Sequence, residues 1–218
     1  KQFHDILGIG KTMIQMTYAR FDHFIPRENI FIVTNERYAD LVKAQLPGIR
    51  DEEILLEPVG RNTAPCVAYA AFKIKQRDPE ACILVVGSDY LIRNTTNFLK
   101  DAALGLDEAR KQPVIMTLGI RPTRPDTGYG YIQYIEGEHP KPFYKVKMFT
   151  EKPDLEMAKT FLQSGDFLWN SGMFVFSTTT ILASFSELMP DLFEIFQAIS
   201  PQLGTESEAV VVREAYEK

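Results

Sequence analysis

The chain has 218 residues, 45% of them hydrophobic and 24% charged, enough apolar material for one sizeable domain. A net charge of −5 argues against a broad nucleic-acid-binding face, which needs a basic surface. Cys66 and Cys82 form no CxxC pair and sit in no Cys/His cluster, so neither a disulfide scaffold nor a structural zinc site is expected. That cysteine usage fits a reducing cytoplasmic setting. No apolar run approaches the ~20 residues that cross a bilayer, so no membrane partner is expected.

In chain order, Gly8-Ile9-Gly10-Lys11-Thr12 comes first. It resembles the end of a phosphate-binding P-loop, but Asp5 stands where that pattern needs a glycine, and no buried strand leads in. A turn feeding a helix over 12–24 is the better reading. Continuous apolar runs at 30–34, 54–56 and 83–86 suit strands buried on both faces, as in a parallel sheet. Helices are expected between and after them, at 37–46, 63–77 and 95–110. The second of these is marked by Asn62 or Thr63 as N-cap and by Pro65 in its first turn. Strand–helix alternation of this kind predicts an α/β layered domain. After residue 114 the pattern changes, with strands at 114–118, 130–135, 144–149 and 173–176 around one helix at 155–164. That reads as a mixed sheet with an antiparallel insertion. From 178 onward the chain reads as helical, with breaks near Pro190 and Pro201.

Five short motifs stand near predicted strand ends. Glu57 precedes the Gly60-Arg61 turn, and an ionised carboxylate accepts hydrogen bonds only, so it suits the paired N1–H and N2–H₂ donors of guanine. Arg61, Asn62 and Thr63 open the next helix, where backbone N–H groups attract acceptors. A plain helix cap with a solvated Glu57 is the alternative. Asp89 follows the strand at 83–86, at the sheet edge where open α/β folds bind ligands. One carboxylate plus substrate phosphates is a usual way to hold Mg²⁺; a turn-capping aspartate is the bland alternative. Thr127-Gly128-Tyr129-Gly130-Tyr131 allows a close approach to backbone or makes a simple hairpin turn. Glu151-Lys152-Pro153 offers a carboxylate for sugar hydroxyls and an ammonium for phosphate, or a surface ion pair. Asn170, before Ser171-Gly172, supplies an amide for a sugar or caps a turn.

Taken together these residues resemble the mannose-1-phosphate guanylyltransferases of the sugar-nucleotide pyrophosphorylase superfamily, over essentially the whole chain. The resemblance rests on Glu57-Pro58-Val59-Gly60-Arg61-Asn62-Thr63-Ala64-Pro65, Glu151-Lys152-Pro153 and Trp169-Asn170-Ser171-Gly172. It implies a Rossmann-like three-layer nucleotidyltransferase domain, with a mixed, mostly parallel sheet. It also implies formation of GDP-mannose and pyrophosphate from GTP and mannose 1-phosphate with Mg²⁺. In that reading Glu57, Arg61, Asn62 and Thr63 face the nucleotide and Asp89 holds the metal. Tyr129, Gly130, Glu151 and Asn170 face the sugar, Lys152 its phosphate, and Lys1 the leaving pyrophosphate. Gly87-Ser88-Asp89-Tyr90 departs from the family's usual Pro-Ser-Asp-His. Lys1-Gln2-Phe3 matches the end of the family's Gly-rich loop, so a strand and loop are expected before Lys1, and further chain beyond Lys218. The 218 residues would then be a single domain lacking those parts. A transferase for another sugar 1-phosphate, and a non-catalytic GDP-mannose-sensing subunit, are the rival expectations; a homodimer is left open.

Overall fold

The computed structural model describes residues 1–137 and 142–218. In chain order its helices are α1 (Met13–Arg20), α2 (Ala39–Gln45), α3 (Thr63–Arg77), α4 (Thr95–Lys111), α5 (Leu155–Ser164), α6 (Thr178–Leu188), α7 (Pro190–Ile199) and α8 (Glu208–Glu217). Its strands are β1 (Ile32–Asn35), β2 (Ile54–Glu57), β3 (Cys82–Val85), β4 (Met116–Ile120), β5 (Tyr131–Ile135), β6 (Lys145–Thr150) and β7 (Phe167–Ser177). Two compact units result, one of Lys1–Met116 with Val175–Lys218, the other of Thr117–Phe174.

In the first unit β1 and β2 form a parallel pair in register Ile32↔Ile54 to Asn35↔Glu57, so both strands end on polar residues at the same edge. β3 pairs with β7, whose last residues belong to this unit, and the Thr178 amide donates to the Ala81 carbonyl at 2.9 Å. The expected sheet is thus present in two pieces rather than one, with β1–β2 separate from the sheet that contains β3. Ile14, Val42, Leu46 and Ile54 pack under β1–β2 with Phe3, Tyr18 and Ile32. The Gly8–Lys11 segment is a turn: the Asp5 carboxylate accepts from the Ile9 and Gly10 amides at 3.1 and 2.7 Å, and α1 begins only at Met13.

Helix α3 is the hub of the first unit. Val67, Ala68, Ala71 and Phe72 are buried along it, and it packs on α6, α7 and β2. Its buried face also carries two polar residues, Tyr69 and Lys73. Both reach Glu208 at the start of α8, the Lys73 ammonium at 2.6 and 2.7 Å, while the Gly204 amide donates at 2.7 Å. Burial alone would raise the Glu208 pKa, but these hydrogen bonds outweigh it and hold the carboxyl below its ordinary range.

The second unit is built on β5, which runs antiparallel to β6 on one side and to β7 on the other. Tyr131, Ala158, Phe161, Phe167 and Trp169 form its core beneath α5, with Phe161 and Phe167 stacked at 3.9 Å. Asp154 caps α5 by accepting from the Met157 amide at 2.8 Å, and Gly165 ends it at φ 80.

Several element limits also need correction, and the helix expected over 12–24 ends at Arg20. The helix expected at 37–46 opens as a 3₁₀ turn, Glu36–Tyr38, because Asn35 accepts from the Arg37 amide. β1 starts at Ile32, not Ile30, since the Ile30 amide closes the preceding 3₁₀ turn onto Arg27. β4 lies two residues later than expected, because the Val114 amide turns back to the Gln112 carbonyl at 2.9 Å. β7 begins at Phe167 and runs through Asn170, Ser171 and Gly172, which are strand rather than turn. Among the described residues no helix is long and apolar enough to cross a membrane.

Replacing Lys73 by Met strands a buried carboxylate, and breaking a buried pair of this kind costs about 3–5 kcal/mol. Lys73→Met is expected to lower the urea unfolding free energy by about that amount. Because folding lowers the Glu208 pKa, its contribution is complete above the ordinary value near 4.5 and is lost as pH falls through the lower folded value. Glu208→Gln should therefore lose less stability than the parent chain as pH falls from above the ordinary value through the lower folded one.

Candidate functional site

In the first unit the carboxyl ends of β1 and β2 open onto a cleft of about 750 Å³ lined by Asn35, Glu36, Arg37, Pro58, Val59 and Gly60. Ligands in open α/β sheets gather at this edge. Arg61, Asn62 and Thr63 follow directly and are exposed at the start of α3. Asn62 is the N-cap at φ 65, a conformation that costs a non-glycine residue energy, and its side chain makes no capping hydrogen bond. The first turn of α3 carries no acidic residue, so its amide donors and positive dipole end are left for an external anion.

Glu57 behaves differently from the solvated strand tip that the sequence allows. It is the last residue of β2, only 9% exposed, and its Oε1 accepts from the Tyr216 hydroxyl of α8 at 2.7 Å. Burial raises its pKa, and the Tyr216 hydrogen bond only partly offsets this. Cys66, one turn into α3, is also raised, to about 12, by burial and by the Glu57 charge. Neither Cys66 nor Cys82 is in a disulfide.

Asp89 stands four residues beyond β3, half-buried, with Lys1 Nζ 3.1 Å from its Oδ2. The structure thus brings two of the predicted catalytic residues together as an ion pair. Among the described residues no cluster of three or more His, Cys, Asp or Glu could hold a metal. A lone carboxylate fits a divalent ion that arrives with phosphates, not one caged by protein alone. Gly87 and Tyr90 are sterically coupled. The Tyr90 ring lies against Gly87, 2.8 Å from where a Cβ would stand, so a side chain at 87 and this tyrosine placement exclude each other.

In the second unit the ladder register does the assembly. β5 pairs Tyr131 with Thr150 of β6 and with Trp169 of β7. One step further along these antiparallel ladders, Gly130 falls between Glu151 and Asn170, and the Asn170 amide donates to the Gly130 carbonyl at 2.7 Å. A Cβ at Gly130 would meet Glu151 Oε2 at 2.7 Å and the Phe149 ring at 3.1 Å, so only glycine lets the carboxylate lie across this rung. Asn170 Oδ1 accepts from the Gly172 amide at 3.0 Å and lies 3.0 Å from the Thr117 hydroxyl. Among the described residues its Nδ2 donates to no protein group, which leaves that amide available. Lys152 Nζ sits 3.4 Å from Glu151 Oε1, well exposed, on a backbone at φ 44. Tyr129 is exposed and leans on Trp169 at 5.0 Å, with the Arg124 guanidinium 5.3 Å from the same indole.

Sequence reasoning missed Tyr216, Asn35, Thr117 and Arg124. No short-range signal marks Tyr216, which meets Glu57 across 159 residues. Arg124 was within reach, since Arg124-Pro125-Asp126 leads straight into the glycine turn.

Comparison with known proteins follows the same lines. The nucleotidyl transferase family model matches residues 3–211. A mannose-1-phosphate guanylyltransferase of Klebsiella pneumoniae is 37% identical over 91% of this chain, and the xanthan biosynthesis protein XanB of Xanthomonas campestris is 37% identical over 90%. The chain spans only 42% and 41% of the length of these two relatives. A Thermus thermophilus crystal structure, described as a mannose-1-phosphate geranyltransferase, superposes with a TM-score of 0.82 at 27% identity. That match covers 95% of this chain and 58% of the other. The fold is the Rossmann-like α/β fold of nucleotidyltransferases, and the chain belongs to the nucleotidyl transferase family.

Proposed function

We propose that this chain carries the transfer chemistry that joins GTP and mannose 1-phosphate into GDP-mannose, with release of pyrophosphate. The observation that carries the reading is the shared rung of Gly130, Glu151 and Asn170, a sugar-sized set of acceptors and an amide beside the Lys152 ammonium. Its likeness to a mannose-1-phosphate guanylyltransferase at 37% identity supports the choice of sugar and nucleotide.

In this reading a phosphate oxygen of mannose 1-phosphate attacks the α-phosphorus of GTP in line. The bond to the β-phosphate breaks and pyrophosphate leaves, so no covalent enzyme intermediate is required. Glu57 accepts from N1–H and N2–H₂ of guanine, while Arg61 and the amides at Asn62 and Thr63 meet the nucleotide's acceptors. Glu151 accepts from sugar hydroxyls, the Asn170 amide donates to one, and Tyr129 with Gly130 gives the ring its close approach. Lys152 orients the attacking phosphate, its backbone already held in an uncommon conformation. Lys1, which pairs with Asp89, is the ammonium that would meet the leaving pyrophosphate, and Asp89 the carboxylate that would hold the cation. Mg²⁺ held by Asp89 against the phosphates would neutralise their charge during transfer.

Pyrophosphate release on mixing the full chain with GTP, mannose 1-phosphate and Mg²⁺ tests the reading. GTP is expected to be favoured over ATP, CTP and dTTP, and equal use of all four would contradict it. Lys152→Ala is expected to lower kcat/KM by ~30- to 1000-fold, the size of a preorganised charge contact worth ~2–4 kcal/mol. Gly130→Ala pushes Glu151 off its rung and should raise KM for mannose 1-phosphate while leaving that for GTP near the parent value.

A further inference from the structure

We propose that Tyr216, on the last helix of the chain, is a positioning residue that sets the Glu57 carboxylate for base recognition and so determines nucleotide specificity. The inference rests on the reading of Glu57 as the guanine acceptor.

Tyr216 is 3% exposed, and its ring packs edge-on against Phe196, with centroids 5.9 Å apart and planes at 90°. The ring orientation is thus fixed by core packing. Its hydroxyl donates to Glu57 Oε1 at 2.7 Å. From the other side, Asn35 Nδ2 donates to the Glu57 and Pro58 carbonyls at 3.1 and 3.2 Å, which holds the backbone under the side chain. Glu57 is therefore gripped at its main chain by β1 and at its carboxylate by α8.

What remains on the carboxylate is the useful part. An ionised carboxylate has about four acceptor sites, and Tyr216 uses one. Among the described residues Oε2 takes no protein hydrogen bond. Among the described residues the fully sealed polar side-chain atoms without a partner are Asp166 Oδ1 and Trp169 Nε1, so Oε2 is not among the fully sealed ones. One oxygen is pinned by Tyr216 and the other takes no protein donor among the described residues, on the residue directly before the cleft-lining Pro58, Val59 and Gly60. A carboxylate free to rotate would lose the planar fit to two adjacent donors; the tyrosine removes that freedom. Glu208 makes the contrast on the same helix. It receives two tyrosine- or lysine-borne donors and a backbone amide, and nothing is left to offer.

The test compares binding of GTP and inosine triphosphate, whose base lacks the 2-amino donor. The full chain is expected to prefer GTP, and Glu57→Gln to abolish that preference. Tyr216→Phe keeps the ring and removes the hydroxyl; it should cut the GTP-to-inosine-triphosphate affinity ratio about five-fold, the size of one hydrogen bond. Added to Glu57→Gln, it should change the ratio no further. Because each ratio is taken on one preparation, a partly unfolded fraction cancels from it.

A pH profile gives a readout that a merely structural role would not move. The titratable groups facing Glu57 are Cys66 and Tyr69 of α3 and Tyr216 of α8, with Lys73 and Glu208 paired beyond Tyr69. Losing the Tyr216 hydroxyl removes the hydrogen bond that opposes burial, so the acid limb of GTP binding should move to higher pH. A parental ratio and an unmoved limb in Tyr216→Phe, with Glu57→Gln still losing preference, would overturn the role of Tyr216 alone. A parental ratio in Glu57→Gln would overturn the base-reading assignment and this inference with it.

Discussion

Burying a carboxylate costs several kcal/mol unless protein donors replace its water, and the first unit does this twice where α8 meets β2 and α3. Glu208 receives an ammonium, a phenol and an amide, and it stays ionised below its ordinary range. Glu57 receives one phenol, and burial leaves its pKa raised. The same interface therefore holds one satisfied carboxylate and one that is short of donors. The first locks α8 to α3. The second is an acceptor whose missing partners a guanine edge could supply, and it owes its position to the helix that the first one anchors.

The second unit meets the same demand for placement by a different means. Two antiparallel ladders share β5, and their registers alone bring Gly130, Glu151 and Asn170 to one rung although they are far apart in sequence. The absent side chain at Gly130 is what lets the Glu151 carboxylate lie there. Beneath the rung, Tyr131 and Trp169 sit in the core with Phe161 and Phe167, so Asn170 stands on a core-anchored strand and Gly130 and Glu151 directly beyond strand ends. Asn62 and Lys152, both residues of the proposed site, are two of the three described non-glycine residues with positive φ, a conformation that costs energy.

Much of this was legible in the sequence where local chemistry decides. Helices α3 and α5 follow their expected limits because Pro65, Asp154 and Gly165 mark the ends through short-range sterics and capping. The site motifs were legible for a related reason, since each is a contiguous stretch at a strand end. Legibility failed where a long-range ladder overrode local preference. Asn170-Ser171-Gly172 has the composition of a turn, yet β7 includes it as a local irregularity, with Asn170 Oδ1 taking the Gly172 amide and Gly172 adopting φ 72. The Glu57–Tyr216 contact was invisible for the same reason: one tyrosine on an amphipathic helix reads as core, and only the fold shows what its hydroxyl reaches.

The central claim is a division of labour, with the nucleotide held by the first unit and the sugar phosphate by the second. Hydrogen exchange of the full chain, read separately with GTP and with mannose 1-phosphate, tests it most directly. GTP is expected to slow exchange in residues 58–64 of the first unit, and mannose 1-phosphate to slow it in residues 128–130 and 151–153 of the second. Protection by mannose 1-phosphate confined to the first unit, or none from GTP at residues 58–64, would contradict it.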